Sequence, residues 1–117
     1  MAKPGNQPVT PTPESMNPTT PAEFLKRGWL YYARGDYKAA EEDFRRALES
    51  NADDPEALYA LGLNLLAAGR AQDAVSVFEK AFQTAGKIED HVRASMIQRL
   101  IKGHINRIRT GNWNLDR

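Results

Sequence analysis

Apolar residues recur three and four positions apart from Phe24 to Ile108, and the spacing breaks where glycine, proline and aspartate collect. That interval places apolar side chains on one side of an α-helix, so the breaks divide the chain into helices. Thr20-Pro21-Ala22-Glu23 has the form of a capping box with proline in the first turn, and predicts a helix from Pro21 that Gly35 ends. Along it Phe24, Gly28 and Tyr31 form one stripe, and Leu25, Trp29 and Tyr32 form the neighbouring one. A second helix, from about Asp36 to Ser50, sets Tyr37, Ala40, Phe44, Ala47 and Leu48 opposite Lys38, Glu42, Arg45, Arg46 and Glu49. Asp54 before Pro55 repeats the start signal. It predicts a third helix from about Pro55 to Ala68, stopped by Gly69, and a fourth from about Ala71 to Ala85, stopped by Gly86. The last segment, Ile88 to Arg109, reads as one long helix with an apolar band of Val92, Met96, Ile97, Leu100, Ile101, Ile105 and Ile108, and with Gly103 as its point of bending.

Shifted by 34 residues, the chain falls on itself. Pro21, Gly28, Ala33, Gly35, Ala40, Phe44 and Ala47 land on Pro55, Gly62, Ala67, Gly69, Ala74, Phe78 and Ala81. A period of this length marks a stacked helical array. Gly28 and Gly62 sit mid-helix, where glycine costs about 1 kcal/mol relative to alanine, so close helix contact is the expected reason for them. The small Ala40, Ala47, Ala74 and Ala81 serve the same crossing, and Phe44 and Phe78 are expected to fill the space between hairpins.

In these residues the chain resembles the tetratricopeptide repeat family. The resemblance implies an all-α superhelix of two helical hairpins, at about 21–54 and 55–88, closed by a long C-terminal capping helix. Two departures stand out. Arg27 occupies the place of Leu61, and is expected to face outward at the start of the array; Ala52 and Gly86 stand where the family usually closes a repeat with proline. The third segment departs further, with Met96, Ile108 and Asn112 replacing the expected Gly, Ala and Phe. Capping is its expected role, because a repeat array needs a terminal cap and about three stacked units for stability.

The resemblance also implies a function, the holding of a partner segment in a concave groove lined by the first helix of each repeat. Leu25, Trp29, Tyr32, Tyr59, Leu63 and Leu66 are the residues at that place. They would make an apolar, aromatic groove, and aromatic anchors usually carry binding energy. The alternative is that the C-terminal helix, Trp113 or a second copy of the chain fills the stripe, the last making a homodimer. Some family members grip a chaperone's C-terminal carboxylate with Lys, Asn and Arg. At the matching places this chain has Leu25, Trp29 and Ala60, so binding of that type is not expected.

Six of the seven prolines fall in residues 1–21, a stretch too poor in apolar side chains to offset its ordering entropy. Residues 1–20 are therefore expected to be a disordered tail, 21–110 the array and 111–117 a short C-terminal tail. No secretory signal and no membrane-spanning run is read, and there is no cysteine, so a cytoplasmic setting is expected. The net charge of +1 hides an asymmetry: nine bases face twelve acids in residues 1–86, and seven face three in residues 87–117. Arg99, Lys102 and Arg109 gather on one side of the last helix as a basic surface, for which weak nucleic-acid or acidic-partner binding is the alternative function. His91 and His104 are 13 apart with no carboxylate between them, which is not metal-ligand spacing, and no nucleophile system or phosphate loop is recognisable. The acidic Glu41, Glu42 and Asp43 read as a solvated face. No enzyme activity, metal or cofactor is expected.

Overall fold

The computed structural model describes residues 12–111, and it is all-helical among them. After a 3-10 turn at Pro13–Ser15 come α1 (Pro21–Ala33), α2 (Tyr37–Ser50), α3 (Pro55–Ala67), α4 (Ala71–Ala85) and α5 (His91–Thr110). Each helix packs on the next in sequence, and α1 also touches α3. Side-chain caps set most of the starts. Thr20 Oγ1 accepts from the Glu23 backbone N–H at 3.2 Å while Glu23 accepts from the Thr20 N–H at 3.1 Å, completing the capping box. Asp36 and Asp54 cap α2 and α3. Asp90 accepts from the N–H groups of Val92 and Arg93, so α5 begins at His91 rather than at Ile88. Gly35 and Gly69 turn the chain out of α1 and α3 at φ of 79° and 84°, a left-handed conformation that other residues adopt only under strain. The last helix runs unbroken through Gly103.

The mid-helix glycines answer to one neighbour each. A Cβ on Gly28 would stand 2.5 Å from the Phe44 ring, and one on Gly62 would stand 2.5 Å from the Phe78 ring. Both rings are fully buried. Each phenylalanine therefore seats on the glycine of its own hairpin, where the sequence had suggested a filler between hairpins. Leu58, Leu61 and Leu65 of α3, with Ala74, Ala81 and Ala85 of α4, continue the core, and Ile101 brings α5 into it.

Arg27 does not face outward. Its guanidinium makes two hydrogen bonds of 2.8 Å to the Asp43 carboxylate and lies against the Phe24 and Tyr31 rings. Asp43 is 3% exposed, so it does not belong to a solvated face. Thirty-four residues on, the same two places hold Leu61, buried in the core, and Val77, partly buried against it. The first hairpin thus has a bidentate ion pair where the second has two apolar residues. Of the expected N-terminal tail, residues 1–11 lie outside the described part. Residues 12–20 run beside α1, where Glu14 pairs with Arg34 at 2.7 Å and the Met16 carbonyl accepts from Arg27 at 3.5 Å.

The apolar band of α5 divides. Ile97, Ile101, Ile105 and Ile108 pack on the array, whereas Val92, Met96 and Leu100 are 72%, 62% and 54% exposed. Seven apolar residues spread over more than half the circumference of a helix, and α4 covers only one side of it. The placement of α5 is also offset. Asn64 of α3 donates to the Tyr37 carbonyl of α2 at 2.8 Å, and its counterpart Gln98 donates to a carbonyl of the preceding helix as well. The acceptor is Phe82, eleven residues beyond Ala71, the counterpart of Tyr37. The last helix therefore turns the same side toward its predecessor as α3 does, but stands about three turns further along it.

Candidate partner-binding face

All six residues of the expected groove are partly buried and pack on the core with their inner atoms. On α1, Trp29 meets Tyr32 edge-on at 5.6 Å between ring centroids and Phe44 at 5.3 Å, and Tyr32 also tilts against Tyr37 at 6.0 Å. These contacts hold the rings in one orientation and leave part of each ring accessible. On α3, Tyr59 packs on Phe78 at 6.0 Å. Burial pushes the pKa of the Tyr59 hydroxyl up, and the nearby Tyr32 adds to the rise, so the two helices bring these phenols into electrostatic reach of each other. Leu25 on α1 and Leu63 and Leu66 on α3 supply the aliphatic parts.

His104 of α5 belongs beside this face, a place that sequence reasoning did not assign to it. Its Nε2 shares a 3.0 Å hydrogen bond with the Tyr59 hydroxyl, and its ring stacks on Phe78 at 5.4 Å with an interplanar angle of 11°. Burial pushes its pKa below the ordinary imidazole value. The available signal was positional, since His104 lies three residues after Ile101 and four before Ile108, on the packed side of the helix. The helix α5 thus reaches the stripe at Tyr59. Trp29 and Tyr32 make their ring contacts within the first hairpin.

The three basic residues do not share one role. Arg109 pairs with Glu79 at 3.0 Å. Lys102 lines a shallow groove of about 290 Å³ between α4 and α5, together with Glu79, Phe82, Gln83, Ile105 and Arg109. Arg99 is exposed. Trp113, one of the alternative fillers of the stripe, lies outside the described residues. Among the described residues no group of three or more His, Asp or Glu side chains is placed to hold a metal ion, and no helix is long and apolar enough to cross a membrane.

A sequence model described as tetratricopeptide repeat matches residues 25–87, which is more than half of the chain. The chain is 37% identical over 60 residues to human tetratricopeptide repeat protein 13, a match covering 51% of this chain and 7% of that protein. It is 30% identical over 63 residues to a TPR repeat-containing protein of Methanocaldococcus jannaschii, covering 54% of this chain and 11% of that one. The likeness is thus to a small part of two much longer proteins. No solved structure matches the chain. The match extends across both hairpins, from Leu25 on α1 to just past the end of α4, and takes in both glycine–phenylalanine seats. The chain belongs to the tetratricopeptide repeat family.

Proposed function

We propose that this protein is a non-catalytic binding module that holds a segment of another protein against the face formed by Leu25, Trp29, Tyr32, Tyr59, Leu63 and Leu66. Family membership supports the broad class, because tetratricopeptide repeats are generally protein-interaction scaffolds. The observation that carries the finer reading is the half-burial of all six side chains, with two of the aromatic residues already braced edge-on. A ring fixed by its neighbours loses little conformational entropy when a partner covers it, so contact area converts more efficiently to affinity. The scaffold would change little on binding. Self-association through the same face is the competing reading. The pairing of Arg109 with Glu79 removes one base from the proposed basic surface, which weighs against nucleic acid as the partner.

A photo-crosslinking amino acid at Leu63, compared with one at the exposed Glu42 of α2, tests the proposal in cell extract. A discrete cross-linked species from position 63 that is absent from position 42 and lost in Trp29→Ala is expected. Equal cross-linking from both positions would contradict it, and a product of two copies of the chain would assign the face to self-assembly.

A further inference from the structure

The exposed residues Val92, Met96 and Leu100 of α5 fall one per turn along one side of the helix. In the 34-residue register they correspond to Leu58, Gly62 and Leu66 of α3, and to Phe24, Gly28 and Tyr32 of α1. In both earlier helices this side includes the glycine on which the second helix of the same hairpin seats its phenylalanine. The helix α5 turns the same side toward its predecessor as α3 does, so its hairpin side is the one left uncovered.

The residues on this side indicate what would fit there. Met96 stands where the earlier helices have glycine, so the gap that admits an aromatic ring is filled. A covering helix must therefore bring a small residue opposite Met96 and larger apolar ones opposite Val92 and Leu100. Arg93 and Arg99, three residues before and after Met96, lie about 60° to either side of it. Neither makes an ion pair among the described residues. The helix α5 carries Arg93, Arg99, Lys102, Arg107 and Arg109 and no acid. Two copies of it laid together would set base against base, whereas acidic flanks would complement it.

We propose that the Val92–Met96–Leu100 side of α5 is a second docking surface, which receives an acidic amphipathic helix of another protein in the place that α2 and α4 take in the two hairpins. None of these three residues is among the six of the Trp29 face, so the two surfaces are testable independently.

The probe is a fluorescein-labelled, helix-stapled peptide the length of α2, with alanine flanked by leucines at four-residue spacing and glutamates on both sides of that stripe. Titrated with the full chain at low salt, its anisotropy is expected to rise to saturation. Met96→Glu is expected to weaken binding at least about tenfold, since it sets a carboxylate against the peptide's acidic, apolar stripe. Met96 is exposed, so far-UV circular dichroism of this variant should match the parent. Trp29→Ala is expected to leave the affinity unchanged. A matching peptide with lysine for glutamate should bind at least about tenfold more weakly than the acidic one. Absence of saturable binding, equal affinity of Met96→Glu, or equal binding of the lysine peptide would each overturn the proposal. So would a dimer of the full chain in sedimentation that Met96→Glu dissociates, because a second copy would then be the occupant.

Discussion

The two glycine–phenylalanine seats set a residue-scale constraint that runs against helix propensity. Alanine at position 62 would favour the helix by about 1 kcal/mol. Its methyl would nevertheless stand 2.5 Å from a ring that is fully buried. Overpacking of this kind typically costs about 1–3 kcal/mol, so Gly62→Ala is expected to lower stability, as a reduced urea midpoint would report. The Arg27–Asp43 pair supports a second expectation, because the other hairpin supplies the apolar alternative in Leu61 and Val77. Arg27→Leu leaves the carboxylate of a residue 3% exposed without its cation and should cost about 3 kcal/mol. Asp43→Val leaves a guanidinium that is 25% exposed and able to turn toward water, and should cost about 1 kcal/mol. The double variant should recover most of both losses, and a double-mutant cycle in urea checks it. A double variant as unstable as the two singles combined would mean that the pair is not exchangeable for packing.

At the scale of elements, the caps and turn glycines made four helices legible to within a residue or two. The fifth begins at His91, three residues later than the apolar spacing alone predicts, because Asp90 caps it from a place just before the apolar run. The offset of α5 was not legible, since periodicity fixes which side of a helix is apolar but not how far it slides along its neighbour. For the same reason the spacing groups Val92, Met96 and Leu100 with the packed band. The ion pair between Arg27 and Asp43 was open to detection, because the 34-residue register changes both positions together from apolar to charged. His104 ties this element to Tyr59 and sets a pH dependence. Its pKa is lowered in the folded state, so the unfolded chain takes up a proton that the folded chain resists. Its contribution to stability should therefore be complete above the ordinary imidazole pKa of about 6.5 and should fall as the pH drops below it. Melting temperatures between about pH 7.5 and pH 5.5, above the carboxylate range, should decline with falling pH, and His104→Leu should flatten that decline. An identical slope in the variant would exclude His104 as its source.

At the scale of the whole molecule, the proposed function has the repeated side chains shared between cohesion and recognition. The inner atoms of Trp29, Tyr32 and Tyr59 hold hairpins together, and what remains accessible is braced by that packing. The six candidate positions followed from the repeat register and the family resemblance, while their half-burial and the approach of His104 required the assembled helices. In the proposed function the accessible part of this face recognises another protein. Selection of a random peptide library on the full chain, followed by dissociation constants of the enriched sequences for the parent and for Trp29→Ala, tests it most directly. Enriched peptides are expected to lose at least about tenfold in affinity for the variant, or roughly 1.4 kcal/mol, while the variant keeps the helicity of the parent. Peptides that bind Trp29→Ala as tightly as the parent, or a variant that loses its helicity together with its binding, would contradict it.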